Sequence, residues 1–426
     1  MKCNLFDNEF LNIIELTGTL IFENISCDPN MFSDPYFEEK LKDILMTNLY
    51  IQLKDVYEDL NISNIIIKAI HISLTIFYEN ICPKRSNGNS YIRITPNVKQ
   101  MKKKLDYLTK IPQPEQRTEE WYEFRHGVLT ASNIWKVFGT SRMQNEIIYE
   151  KCVDIDKNKF NNINTETPMH WGQKYEDVSI KWYENEYKTK ISEFGCIPHK
   201  KHKFIAASPD GINTDKNSKL YGRMLEVKNI VNREINGIPK LEYWIQMQIQ
   251  MEVCELNECD FLETKFIEYE SKEDFELDGN FNLSKDNKQK GIIMYFLEEN
   301  KPIYEYAPLN ITKDDFNVWE TNTMNKYDTI SWRKNIYWKL EKVSCVLVLR
   351  NKLWFNLVFP EIENIWNIIK KERIEGFEHR SPKRKEKINK KNNNNNNTLG
   401  KCLIDTNKIF KNCIFNIETE PLINID

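Results

Sequence analysis

With 426 residues, 40% of them hydrophobic and 12% aromatic, the chain can bury a large core and form more than one domain, which excludes a disordered protein. Sixty Lys and Arg against 63 Asp and Glu leave a net charge of −3, so bulk charge does not mark a nucleic-acid binder. Residues 1–20 lack the pattern of a signal peptide, and the longest apolar stretch, Ile65 to Phe77, is interrupted by Lys68 and His71 and too short for a bilayer; a soluble protein is expected.

Ten cysteines stand singly, with no C-x-x-C pair, and read as buried thiols in a reducing, intracellular compartment. Charge is unevenly spread. Residues 1–60 hold twelve acids against four lysines, while Lys99 to Lys104 holds four lysines and Arg380 to Lys391 seven Lys or Arg. Lys99 to Lys104 suits a polyanion or a solvated linker equally, whereas the run that leads into poly-Asn reads as a solvated tail, disordered in part. In chain order, Phe37 to Leu49 and Ser63 to Phe77 show the 3.6-residue apolar spacing of helices, and Cys82 to Ser90 and Ile111 to Pro114 read as breaks. The expected organisation is a helical accessory region at 1–105, a central domain at 106–345, a helical extension at 346–380 and a basic, Asn-rich tail at 381–426.

After the second break, Thr118 can cap a short helix that brings Trp121, Phe124 and Arg125 to one side. A second helix is expected to open near Ser132 and run to Phe138. Its free N–H groups, with Arg125 just upstream, would suit a phosphate. Next, Trp171-Gly172 and Glu176 lead a helix, and placement of Glu176 in its first turns is reason enough for an acid there.

Lys190 to Cys196 and Lys203 to Ala207 read as strands. The run Phe204 to Ala207 then feeds Ser208-Pro209-Asp210-Gly211, and a return strand through Arg223 to Lys228 makes a hairpin. Alternation puts Glu226 and Lys228 on one face, with Asp210 brought up beside them. Two acids and an ammonium suit a hard divalent cation with open positions for phosphate and water, the chemistry of metal-assisted phosphodiester hydrolysis. Glu-x-Lys on a strand is also a common solvated edge, but Met224, Leu225 and Val227 make this strand a buried one, where charges need a reason. In the helix from Lys240 to Leu256, Gln246 and Gln250 share a face, and a glutamine there can orient a bound water. Thr264 to Tyr269, Gly291 to Leu297 and Ile303 to Ala307 read as further strands, and Thr312 to Tyr327 as a helix. Trp332, Trp338, Trp354 and Trp366 follow as core or as a base-stacking stripe.

Five blocks now stand in order: Trp121…Arg125-His126-Gly127…Thr130-Ala131-Ser132, Trp171-Gly172…Glu176, Ser208-Pro209-Asp210-Gly211, Glu226-Val227-Lys228 and Tyr243…Gln246-Met247-Gln248. Together they resemble the lambda-exonuclease-like (YqaJ) viral recombinase nucleases, a branch of the PD-(D/E)xK phosphodiesterase superfamily, in the form carried by large DNA viruses. The resemblance covers roughly residues 116–270 and makes 106–345 the nuclease domain.

It implies an α/β (α+β) fold, a restriction-endonuclease-like mixed central sheet flanked by helices, with an added helical N-terminal region. It further implies Mg²⁺ or Mn²⁺, two ions, held by Asp210, Glu226, the Val227 carbonyl and Glu176. Lys228 would activate water, Gln246 would help position it, and Arg125 with Ser132 would hold a terminal 5′-phosphate. The implied activity is 5′-to-3′ exonucleolysis of double-stranded DNA ends, with a single-strand annealing protein as partner, in the host cytoplasm or nucleus or packaged in a virion. One departure is Asn229-Ile230, where many relatives carry Pro. The alternatives are an endonuclease or RNA-degrading nuclease of the same superfamily, and a DNA-binding or virion protein without activity.

Overall fold

The computed structural model describes residues 7–57, 62–114, 116, 118–155, 165, 167–299 and 301–381, which form one compact unit. The Asn-rich tail expected at 381–426 lies, past Ser381, outside the described residues. The chain opens with four helices, α1 (Asp7–Cys27), α2 (Phe37–Leu53), α3 (Ile62–Asn80) and α4 (Val98–Lys110). In α2, Phe37, Leu41, Leu45, Leu49 and Leu53 recur every four residues and are all buried, the stripe that lets a helix bury one face. Helix α3 extends past the apolar stretch seen in the sequence; its 19 residues are long and apolar enough by length and composition to cross a membrane, and it packs on α1 and α2.

Helix α5 (Glu119–His126) is capped by Thr118, whose hydroxyl accepts the Trp121 N–H at 3.3 Å. The following strand β1 (Leu129–Thr130) leads to a single 3-10 turn, Ile134–Phe138. No α-helix opens at Ser132. Helices α6 (Ser141–Cys152) and α7 (Pro168–Tyr187) come next, then β2 (Ile191–Ser192), β3 (Ile197–Pro198), β4 (Ile205–Ala207), β5 (Gly211–Asn213) and β6 (Met224–Asn229).

The expected hairpin is shifted. Strand β4 joins a small sheet of order β1-β4-β3, and the strand antiparallel to β6 is β5, which begins after Asp210. Ser208-Pro209-Asp210 is therefore the crossing between two sheets. Helix α8 (Leu241–Cys254) precedes β7 (Glu258–Glu268), α9 (Lys272–Leu277), β8 (Lys290–Glu298), β9 (Lys301–Tyr306), α10 (Lys313–Lys326), β10 (Ser331–Leu349) and α11 (Lys352–Glu375). The main sheet has seven strands in the order β2-β5-β6-β7-β10-β8-β9. The β6–β7 pair is parallel and the others antiparallel, giving the mixed sheet flanked by helices that the resemblance implied.

One apolar cluster runs from Ile13 and Leu41 in the N-terminal helices through Trp244 of α8 to Trp354 and Ile369 of α11. Trp244 and Trp354 meet edge to face at 5.1 Å. Trp338, Trp354 and Trp366 are core residues; among the four late tryptophans only Trp332 is exposed. Polar ties reinforce the join. The buried Arg85 donates to the Ser33 and Pro239 carbonyls at 2.9 and 2.6 Å, and Trp244 Nε1 donates to the Arg85 carbonyl at 2.8 Å.

A second tie is Arg223 on the loop before β6. It donates to Glu258 at 2.6 Å, to Asp260 at 3.3 Å and to the Tyr91 carbonyl at 3.0 Å, while the Tyr183 hydroxyl donates to Asp260 at 2.6 Å. Removing one partner of a buried pair strands the other charge. Arg223→Met is therefore expected to lower stability by about 3–5 kcal/mol, read as a shifted urea midpoint.

Candidate active site

The site forms where β6 runs past the end of β5. Pairing with β5 stops at Leu225, so the edge of β6 is open at Val227, and Asp210 fills it: its Oδ2 accepts the Val227 N–H at 2.7 Å. In an extended strand a residue's N–H and C=O leave by the same edge, so the Val227 carbonyl faces the Asp210 side.

Alternation along β6 then assigns the two faces. Glu226 and Lys228 point to α8; the Lys228 ammonium is in contact with Glu226 Oε1, where Gln246 also donates at 2.7 Å. Gln250, one turn on, donates to Glu226 Oε2 at 2.7 Å and to the Ser208 carbonyl at 3.1 Å. Leu225 and Val227 point the other way, into a cluster with Tyr183 of α7. Asn229 shares that face. Its side-chain amide donates to the Gly172 carbonyl at 2.7 Å, and its oxygen accepts from Ser179 at 2.7 Å and Thr264 at 2.6 Å. Asn229 thus pins α7 to β6 beside Lys228, which gives the departure at this position a structural role.

Helix α7 brings Glu176 from the second face. It stands in the third turn, not the first, so the helix dipole does not account for it. Glu176 and Asp210 line one cleft of about 570 Å³, and the Glu176 charge is felt at Asp210.

Burial, then the neighbouring Glu226 carboxylate, push the Asp210 carboxyl well above its usual range. Burial works against the Lys228 ammonium too, but Glu226 and Asp210 outweigh it and hold its pKa above the ordinary lysine range. Among the described residues no three His, Cys, Asp or Glu side chains stand in ligating geometry; the Glu226 oxygens are taken by Lys228, Gln246 and Gln250. The donor set nevertheless suits a hard divalent cation. Asp210, Glu226, Glu176 and a main-chain carbonyl are oxygen ligands, and a cation would relieve the carboxylate repulsion that disfavours charge on Asp210.

The second group of expected residues flanks the small sheet, Arg125 at the end of α5 and Ser132 just past β1. Parallel pairing of β1 with β4 sets Thr130 opposite Ala206, shortly before Ser208 and Asp210. Arg125 lies over the Trp121 ring at 4.4 Å and donates to Ser132 at 3.2 Å. Arg125 is half-buried and Ser132 is exposed. The buried Cys196 thiol lies against Arg125 and Ser208, linking this pair to the strand crossing that carries Asp210. A guanidinium and a hydroxyl, without a helix start, are what an anion would meet.

The structure thus brings Asp210, Glu226, Val227, Lys228, Gln246 and Glu176 together and pairs Arg125 with Ser132 beside the adjoining sheet. Sequence reading placed Gln250 on the right face but gave it no task; its spacing of four from Gln246 was the available signal. Asn229 stood out in the sequence only as a departure from relatives; nothing local gave its role, because its partners come from α7 and β7.

The site is thus an open sheet edge with two acids, a lysine and a glutamine between two helices. Residues 120–257 match the YqaJ-like viral recombinase domain, the family that the motif blocks resemble. The chain is also 35% identical, over 306 residues, to an uncharacterized protein of Acanthamoeba polyphaga mimivirus; the match covers 62% of this chain and 54% of that protein, so the chain spans about half of its relative's length. Among solved structures it is similar to an alkaline exonuclease from Laribacter hongkongensis, alone and in complex with dAMP, each at 18% identity over 60% of this chain and 94% of that one. The TM-scores are 0.36 and 0.35.

Proposed function

We propose that the chain is a metal-dependent deoxyribonuclease, an exonuclease that hydrolyses phosphodiester bonds 5′-to-3′ from duplex DNA ends in viral recombination, replication or repair. The observation that carries the reading is the convergence of Asp210, Glu226, Lys228 and Gln246 at the open edge of β6, with Glu176 across the cleft. The match to a viral recombinase domain supports the DNA substrate and the setting. Mg²⁺ or Mn²⁺, as two ions, would be held by Asp210, Glu226, Glu176 and the Val227 carbonyl. Bound there, it would polarise the phosphate and lower the pKa of a water.

The chain's own residues do the rest. Lys228, kept as an ammonium by its two acids, offers charge to the phosphate and orients the attacking water by donating to it. Gln246 and Gln250 fix the Glu226 carboxylate by one donor on each oxygen, so it does not swing away. Arg125 and Ser132 hold the terminal 5′-phosphate and so set the register of the bond that is cut. A single-strand annealing protein would take up the strand that exonucleolysis exposes, in the cytoplasm or nucleus of an infected cell.

The test is digestion of a linear 5′-phosphorylated duplex beside the same duplex closed into a covalent circle, with Mg²⁺ and with chelator. Loss of the linear form alone, and with metal alone, is expected. Cutting of the circle would make the chain an endonuclease, and cutting of neither would return it to a binding protein or to an RNA substrate.

A further inference from the structure

The cleft beside the acids has a chemical character that the cutting reaction does not require. Glu176, Asp177, Glu193 and Asp210 give its lining four carboxylates, and no Lys or Arg is among its described lining residues. A nucleic-acid backbone is drawn to cations, so beyond a cation held at Asp210 and Glu176 a wall of this kind does not hold a run of phosphates. The rest of the lining is largely aromatic and amide: Tyr304, Tyr306 and Pro302 from β9, His170 and Gln173 from α7, and Gln113.

Tyr304 is the fixed part of that wall. Its hydroxyl is hydrogen-bonded to His170 Nε2 at 2.6 Å, and its ring packs on Tyr295 at 5.2 Å with a tilt of 32°. His170 is 4% exposed and sits in the first turn of α7, where its N–H is capped by Thr167 at 3.1 Å. The pair joins the far edge strand of the main sheet to the helix that carries Glu176. The ring is therefore held at its hydroxyl end and along one side while it lines the cleft. An aromatic side chain immobilised in this way offers a stacking surface with little rotamer freedom left to lose. Glutamine amides both donate and accept, which suits the edges of any base.

We infer that Tyr304, anchored by His170 and flanked by Pro302, is a platform for the nucleobase of the terminal nucleotide whose phosphodiester bond is cut. This rests on the nuclease reading and adds its recognition element: the acids and Lys228 serve the phosphate, Arg125 and Ser132 the end, and the β9 wall the base. Next to the platform, Tyr306 lines both this cleft and a neighbouring groove with Lys181, whose ammonium is 4.9 Å from the Tyr306 ring; cations return where the next phosphates would lie.

The experiment uses the full chain in chelator, so that binding is read without cutting. The dissociation constant is measured for a hairpin duplex whose terminal nucleotide carries 2-aminopurine, and for the same duplex with an abasic residue there. The wild-type protein is expected to bind the base-bearing end about tenfold more tightly, the size of one base stacked on an aromatic ring, with quenching of the 2-aminopurine fluorescence. Tyr304→Leu is expected to erase that preference and the quenching while holding the abasic end as before, and Tyr304→Phe, which keeps the ring, to retain most of both. Equal affinity for the two ends in the wild type, equal weakening of both in Tyr304→Leu, or a preference that survives Tyr304→Leu would each overturn the platform. The two readings fail separately: a protein that cuts duplex ends with Mg²⁺ but ignores the terminal base loses the platform alone, and one that prefers the base yet cuts nothing loses the nuclease alone.

Discussion

Asp210→Asn is expected to cut DNA hydrolysis at least about a thousandfold, because the charge stabilisation lost with a ligating carboxylate is several kcal/mol and each 1.4 kcal/mol is a factor of ten. The same variant is expected to be as stable as the wild type in chelator, or more so. Burial and Glu226 raise the Asp210 pKa in the folded chain, so the charged carboxylate is less at ease there than in the unfolded chain. The sign follows from proton binding. The folded state holds the Asp210 proton more tightly, so this group's contribution to stability falls as pH rises from the unfolded carboxylate range through the raised folded value. Asn carries no charge at any pH and escapes that penalty, while its side chain can still accept the Val227 N–H. Rates on a linear duplex with Mg²⁺, set beside urea midpoints in chelator at pH 5 and pH 8, check both halves. Wild-type turnover would remove Asp210 from the site, and a large loss of stability would make its role structural. Glu226→Ala and Lys228→Ala are expected to abolish activity as well, but Glu226→Ala also unseats Lys228, Gln246 and Gln250, so its stability is the less informative readout.

Arg125→Ala is expected to lower activity on 5′-phosphorylated ends by roughly 10–100-fold, the range for losing a charge-assisted bond of about 1.5–3 kcal/mol, with little change on 5′-hydroxyl ends. The guanidinium already donates to Ser132 and stacks on Trp121, so it is oriented before any phosphate arrives. Arg125→Lys keeps the charge but not the fork and is expected to recover only part of the difference. The ratio of rates on the two kinds of end is the measurement. A fall shared equally by both would mean that Arg125 supports the loop and does not read the end.

Much of the candidate site was legible because its pattern is local. Glu226-Val227-Lys228 is a strand tripeptide whose alternation fixes which side chains share a face, and Gln246 and Gln250 are separated by the helix repeat that makes them neighbours. The cap at Thr118 was readable for the same reason, since its partner is three residues away. Elements fixed by long-range pairing were harder to read. The strand paired with β6 was expected before Asp210 and lies after it, because β4 is claimed by β1, some seventy residues earlier in the chain, and no pattern within residues 204–228 records that competition. The stretch after Ser132 carries helical spacing but closes as a five-residue 3-10 turn, with Ile134 and Val137 buried in the core that α8 and α11 share.

By itself, then, the sequence determined the residue types, the periods of the helices and strands, and the candidate set Asp210, Glu226 and Lys228 with their family resemblance, since these depend on side-chain chemistry and on neighbours within a few residues. Only the tertiary structure decided that β5 stops early enough to leave the edge of β6 open to Asp210, that Glu176 reaches the site from the third turn of α7, and that Asn229 locks that helix in place. It also decided the Tyr304–His170 contact, between residues 134 positions apart. The physical reason is the same in each case: strand pairing and helix packing are chosen by burial and hydrogen bonding across the whole sheet, and the short-range pattern of a chain does not specify which distant partner wins.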